Sequence, residues 1–388
     1  MLDARPGEGD APSALVSRGW SSFLLSLDDS QLAELEVHGH EAEWPEGTPR
    51  SLVELARGAR EVCAIAPLVA LDPGAGGDAP RPARRFETPR KRAQVDAFAR
   101  LILPLAKLAK RVVDVGSGHG HLTREIAERI ELPVIGLERD VGLAGRARTL
   151  SNAASPSFAV TDVLVDGLPL LRGDCVIGLH ACGDLGDAMV ESVAREDASI
   201  ALVSCCLQKR RALSRRPLCV PPAGFGEALD LPRDLLGLSN LTARDDGVEA
   251  TLTENLAGRQ RRLALHRLLS SSESTRPLRL HAELDGLNRR SAQRDLSVLA
   301  GRAFALRGLP LPSAMAIEEA SVWAAKQHAR SRRLSLPRVM LARALEVYVV
   351  LDRAVYLEQH GFSVTLGALF PPTVSARNLA LLAHPVRG

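Results

Sequence analysis

Val112-Val113-Asp114-Val115-Gly116-Ser117-Gly118-His119-Gly120-His121-Leu122 is the stretch that decides how this 388-residue chain is read. An apolar run closed by an acid, three glycines at alternate positions, and then Leu122, Ile126 and Ile130 at helical spacing predict a strand, a tight loop and a helix. Side-chain-free backbone can come within contact distance of a ligand, and tight turns often need positive φ, so such a loop is a binding corner. The N–H groups that open the helix carry partial positive charge and suit a ligand carboxylate. Spacing then separates the ligand classes. A dinucleotide site expects G-x-G-x-x-G, whose third glycine lets helix and strand pack closely; His121 stands there instead. A phosphate-cradling loop needs Lys followed by Ser or Thr after its last glycine, and neither is present.

What remains, D-x-G-x-G-x-G, resembles the first motif of class I S-adenosylmethionine methyltransferases. The resemblance implies a Rossmann-like α/β sheet with an antiparallel final strand, and a cofactor held by Asp114, Gly116, Ser117, Gly118 and Gly120. Two later segments fit it. Pro133 to Glu138 reads as a second strand whose terminal acid comes 24 residues after Asp114, and Phe158 to Asp162 as a third whose acid comes 24 residues later still. An acid closing the second strand accepts hydrogen bonds from ribose hydroxyls, and an ionised carboxylate only accepts. In methyltransferases the acid closing the third strand contacts the adenine amino group. Asp114, Glu138 and Asp162 are therefore expected to face one crevice. Asp174 to His180 and Ser199 to Ser204 are apolar enough for central strands buried on both faces. The loop after the fourth strand faces the transferable methyl group in this fold, which puts His180, Cys182 and Asp184 nearest the substrate, with His180 also against the cofactor.

Composition narrows the setting. Net charge is +3, but residues 1–80 carry 14 acids and 5 bases, net −9, leaving +12 for the remainder. That excess favours an anionic partner such as RNA. Aromatics are only 3%, which argues against a single-strand binder built on stacking platforms. Six cysteines with no C-x-x-C pair read as reduced thiols rather than a disulfide scaffold. The start lacks a basic then apolar signal, and no apolar stretch is long enough to span a bilayer, so a cytoplasmic protein with no membrane partner is expected.

Along the chain, residues 1–15 read as a disordered tail and 16–70 as an acidic helical unit capping the main domain. Within it Asp28-Asp29-Ser30 offers an N-cap, and a helix is expected over Ser51 to Val62. Residues 71–85 read as a Gly/Pro linker. Thr88 and Pro89 then make an N-cap and N1 pair for a helix burying Val95, Phe98, Leu101 and Ile102. The methyltransferase core spans 86–209, a mostly helical arginine-rich insertion 210–336, and a closing helix and hairpin 337–388. The closing helix is expected from Pro337 to Gly361, with strands over Phe362–Leu369 and Asn378–His384, the last beside strand five.

With these residues in view the chain resembles the methyltransferase-like protein twenty-five family, which includes proteins named for a ribosomal RNA adenine dimethylase domain. The resemblance rests on Thr88-Pro89-Arg90-Lys91, the glycine loop, Gly178-Leu179-His180-Ala181-Cys182-Gly183-Asp184-Leu185, Ser204-Cys205-Cys206, and Leu369 to Leu379, and so spans roughly 85–388. Methyl transfer from a sulfonium is an in-line displacement that needs alignment more than acid catalysis, so no catalytic dyad is expected. Amine-methylating enzymes usually carry an Asn/Asp-Pro-Pro-aromatic loop after strand four; its absence argues against adenine N6 as acceptor.

Blander roles compete with each functional one. His180 is read first as fixing its loop by hydrogen bonds, and Asp184 as capping the next helix. Cys182 lacks the context of a pyrimidine C5 nucleophile. His180, Cys182, Cys205 and Cys206 could converge on zinc, but adjacent cysteines chelate poorly, so cysteine as small core filler is preferred and no metal is expected. Arg90, Lys91 and Arg92 with Lys209, Arg210 and Arg211 are expected to form a phosphate-tracking rim, or failing that a solvated surface. The favoured substrate is RNA, with protein second; a non-catalytic SAM-fold binding module is the alternative and a dinucleotide oxidoreductase a weak third.

Overall fold

The computed structural model describes residues 11–68, 84–151, 156–221, 223–224, 226, 229–240, 251–272, 282–287 and 293–386. The expected linker therefore lies almost wholly outside the described residues, as does most of the N-terminal tail. Residues 13–15, placed in that tail, belong with Val16 to a short helix.

The chain divides into two compact units, one of residues 1–56 with 243–339 and one of 57–242 with 340–388. The second holds a seven-stranded sheet in the order β3-β2-β1-β4-β5-β9-β8. Its first five strands, β1 (Arg111–Val115), β2 (Val134–Glu138), β3 (Ser157–Val160), β4 (Asp174–Leu179) and β5 (Ser199–Val203), run parallel. The hairpin of β8 (Phe362–Ala368) and β9 (Leu379–Pro385) closes the sheet, with β9 antiparallel to β5 from Ile200↔Ala383 to Val203↔Ala380. This is the class I methyltransferase sheet, antiparallel final strand included.

Two helical layers cover it, and the alternation of strand side chains decides which residue meets which layer. Val112, Cys175, Ile177 and Ala201 pack under α5 (Pro89–Ala106) and α6 (His121–Ala127). Val113, Val115, Val176 and Ile200 pack under α9 (Asp184–Glu196) and residues 347–357 of α13 (Ala314–Gln359). Fully burying each such aliphatic side chain stabilises the fold by about 1.5–3 kcal/mol, which is why these strands are apolar on both faces. Thr88 caps α5 by accepting from the Lys91 amide, with Pro89 following as expected.

The first unit is helical. It contains α2 (Trp20–Ser26), α3 (Asp29–His38) and, from the other end of the chain, α11 (Leu252–Ser272) and α12 (Leu296–Leu306) with the start of α13. Asp28 caps α3 in a reciprocal box with Gln31. The acidic helices are bound to the arginine-rich segment by Glu36–Arg332 (2.5 Å) and Asp29–Arg333 (2.7 Å). These pairings revise the expected architecture. The N-terminal helices and residues 243–339 make one unit, and the insertion does not begin at 210: its first part, including β6 (Ser214–Arg215) and β7 (Leu231–Pro232), belongs with the sheet. The closing helix also starts at Ala314, not Pro337, which lies inside α13. Proline removes one backbone donor there, but Leu334, Leu336 and Met340 stay buried on either side and hold the helix through it. Among the described residues no helix is long and apolar enough to cross a membrane.

Candidate functional site

β1 and β4 are neighbours in the sheet, yet the chain leaves them toward opposite edges, and a crevice opens at the carboxyl ends of strands where this happens. Here it measures about 260 Å³ and is lined by the ends of β1, β2 and β4, by Thr161 to Leu164 after β3, and by Cys182, Leu185 and Lys209.

Glu138, the last residue of β2, lines the crevice. Its Oε2 accepts from the Gly118 amide and its Oε1 from the Asp140 amide, both at 2.9 Å. Each oxygen keeps a lone pair for a ligand diol. Asp162 lines the same hollow; its Oδ1 accepts from the Leu164 amide at 3.1 Å, and Arg211 lies 3.6 Å from Oδ2.

Asp114 does not join them. Strand alternation turns Val115 toward the crevice and Asp114 to the α5/α6 face, where its Oδ2 accepts from Thr123 Oγ1 at 2.7 Å. Burial raises its pKa to about 6, against the lowering influence of the Thr123 hydroxyl and the Lys91 charge. The glycines of the loop likewise divide their work. Gly116 lines the crevice, and the Gly118 amide holds Glu138. Gly120 (φ 71°) packs under Phe158, whose ring would lie 2.5 Å from an added Cβ, so its role is close packing and not ligand contact. Ser117 Oγ is buried with no protein partner. Both ring nitrogens of His121 are also unpartnered, and burial brings its pKa down to about 4.

The loop after β4 is shaped by its backbone. His180 takes a positive φ of 75°, unusual for a side-chain-bearing residue, and its amide donates to the Val203 carbonyl at 2.8 Å. Its Nε2 pairs with Gln94 Oε1 at 2.9 Å, so the ring is fixed to α5, and burial assisted by Lys91 and Arg90 lowers its pKa to about 3. The imidazole is neutral at pH 7. Gly183 is required by close approach: a Cβ would stand 1.9 Å from the Lys209 carbonyl oxygen. Asp184 is not a cap. It opens α9, but its carboxylate pairs with Arg210 at 2.8 Å and accepts from the Arg211 amide at 2.7 Å. Cys182 lines the crevice, with its Sγ 2.6 Å from that of Cys205.

The expected basic rim is mostly consumed by internal pairing. Arg210 bridges Asp184 and Asp187, and Arg92 lies 4.0 Å from Glu87. Lys91 is turned inward toward Asp114, Glu87 and Cys205, and burial lowers its pKa against their pull. Lys209 stays on the lining, Arg211 is 62% exposed beside Asp162, and Arg90 is half-buried near His180. Arg139 joins the lining without having been anticipated, although it directly follows Glu138. Gln94 was equally unforeseen; its only signal in the sequence is a polar residue on the apolar face of α5.

The donor set fits a nucleoside with a charged amino-acid tail: a carboxylate with spare acceptor sites, a second acid across the hollow, bare backbone at Gly116, and apolar walls at Val115, Leu137, Val163 and Leu185. Residues 90–212 match a family described as "Methyltransferase domain". Similar solved structures include a TehB-like SAM-dependent methyltransferase from Corynebacterium glutamicum, at 20% identity over 28% of this chain and 62% of that one (TM-score 0.24). Magnesium protoporphyrin IX methyltransferase from Synechocystis with bound S-adenosylhomocysteine matches at 20% identity over 33% and 64% (TM-score 0.26). A Pyrococcus abyssi tRNA (uracil-54, C5)-methyltransferase in complex with S-adenosylhomocysteine matches at 22% identity over 30% and 29% (TM-score 0.24). The chain thus spans less than two thirds of the length of each. Residues 90–212 are thus similar to a methyltransferase domain, and they contain the strands whose ends line the crevice.

Proposed function

We propose that the protein is an S-adenosylmethionine-dependent methyltransferase that acts on RNA. The observation that carries the first half is the convergence of Glu138, Asp162 and Gly116 on one hollow at the switch point of the sheet. In this reading Glu138 holds the ribose diol, Asp162 the adenine amino group, and the backbone at Gly116 the amino-acid end. The cofactor supplies an electrophilic methyl on a sulfonium, which departs as a neutral thioether. The protein's task is then to align a neutral nucleophile and exclude water. His180, Cys182 and Asp184 are proposed to shape the acceptor side: His180 by its neutral ring locked to Gln94, and Asp184 by fixing Arg210 and Arg211.

RNA is favoured because Arg139 and Lys209 line the crevice and Arg211, although 3.6 Å from Asp162, stays largely exposed at that wall. Membership of the methyltransferase-like protein twenty-five family and a cytosolic setting belong to the same proposal. Methyl-labelled cofactor incubated with the protein and with separated RNA and protein fractions tests it. Label in RNA, reduced by charge reversal at Lys209 and Arg211, is expected; label in protein alone overturns the substrate, and label in neither favours a binding module.

A further inference from the structure

We propose that Cys182, Cys205 and Cys206 form a three-thiolate site for a zinc ion at the lip of the cofactor crevice. Their sulfurs all lie within 4.8 Å of one another. Adjacent cysteines are poor chelators in a regular strand or helix, where their side chains diverge. Residues 204–206 adopt neither conformation, and both sulfurs turn to the same side. Cys182 reaches them because β4 and β5 pair in parallel up to Leu179↔Val203, so the loops that follow leave the sheet side by side.

The frame is rigid. Arg353 donates to Ser204 Oγ at 2.5 Å and to the Gly183 carbonyl at 3.3 Å, tying both cysteine-bearing loops to α13. Gly183 admits the Lys209 carbonyl where any side chain would collide. A tetrahedral ion with zinc–sulfur bonds of about 2.3 Å needs sulfurs about 3.8 Å apart. The three sulfurs lie within 4.8 Å of one another, and Cys182 and Cys205, now 2.6 Å apart, must part by about 1 Å. Three thiolates on a divalent ion leave one negative charge, offset by Lys209 and Arg377 near Cys206 and by Lys91 near Cys205. Soft sulfur ligands select zinc over calcium or magnesium. Three protein ligands leave a fourth position open, and the site adjoins the crevice through Cys182, which lies on its wall.

Cobalt(II) titration of the reduced full-length protein under argon tests this without relying on methyl transfer. The expected result is one cobalt per chain with an intense sulfur-to-metal charge-transfer band and tetrahedral d–d bands, both erased by one equivalent of zinc. Cys206→Ser should weaken binding by more than about tenfold, while Cys219→Ser and Cys63→Ser leave it unchanged. Absence of the charge-transfer band in the unmodified protein overturns the site, whether the thiols titrate as free or as a Cys182–Cys205 disulfide. So does a band that survives in the Cys182→Ser/Cys205→Ser/Cys206→Ser protein. An unchanged circular dichroism spectrum and cooperative melt of that triple variant report that the fold is intact, and failure of the unmodified protein to bind S-adenosylhomocysteine would count against the methyltransferase reading without touching the metal site.

Discussion

At the residue scale, burial has set several titratable groups against their ordinary behaviour, and their signs oppose one another. Asp114 is raised by burial from 3.8 to about 6, so the folded protein binds its proton more tightly than the unfolded chain. Its contribution to stability worsens as pH rises from about 4 to about 6, by up to about 3 kcal/mol. His121, His180 and His328 are lowered by burial from 6.5 to about 4, 3 and 4. Their contributions are present above pH 6.5 and are lost as pH falls toward those values. Three histidines outweigh one aspartate, so stability should fall on acidification from pH 6.5 to 4, cushioned by Asp114. Asp114→Asn, which can still accept from Thr123, should leave stability at pH 7 equal or higher and make the acid decline steeper. Denaturant melts at pH 7 and 4.5 decide it; parallel losses in both proteins would contradict the account.

At the element scale, α9, α13 and the β5–β6 connection are pinned by buried charge. Asp187 accepts from Arg353 Nε at 2.8 Å, Arg215 Nη2 at 3.0 Å and Arg210 Nη1 at 2.8 Å, while Arg215 also reaches Asp352 at 2.6 Å. Burial alone would raise the Asp187 carboxyl, but Arg353 and Arg215 hold it well below the usual carboxylate range. Asp187→Asn strands buried guanidinium groups and should cost about 3–5 kcal/mol. Arg353→Met should cost less, since Asp187 keeps two arginines; thermal and denaturant unfolding should rank the variants in that order, and the reverse ranking would refute this view of the cluster.

Some of these elements were legible in the sequence and others were not, for physical reasons. β1 to β5 announce themselves because strands buried on two faces must be apolar, and acids at a regular spacing stand at or within two residues of the ends of the first three. The hairpin of β8 and β9 was legible through Gly361 and Pro371-Pro372, which bracket its first strand and connection. The start of α13 was hidden because a proline normally marks a boundary, and its cost at 337 is offset by tertiary packing that no local pattern records. At the site, Glu138 and Asp162 were legible from position, whereas the orientation of Asp114 depends on which face of β1 meets the crevice. The inward turn of Lys91 and the capture of Arg210 depend on partners in other elements, Asp114 and Asp187, that only the fold brings near.

At the scale of the whole molecule, the uneven charge of the chain is partly an internal matter. Glu36 and Asp29 meet Arg332 and Arg333 across about three hundred residues of sequence, and Glu36 also lies near Arg259. Part of the basic excess after residue 80 thus answers the acidic start, and less of it is left for a polyanion than composition suggests. The account stands or falls on what the hollow at the carboxyl ends of β1, β2 and β4 binds. Titration calorimetry of the full-length protein with S-adenosylhomocysteine and with NAD, repeated for Glu138→Gln, is the most direct test. The account predicts one S-adenosylhomocysteine per chain, no NAD, and a loss of at least about tenfold in affinity when the charge on Glu138 is removed. NAD binding, or S-adenosylhomocysteine held as tightly by Glu138→Gln as by the unmodified protein, would contradict it.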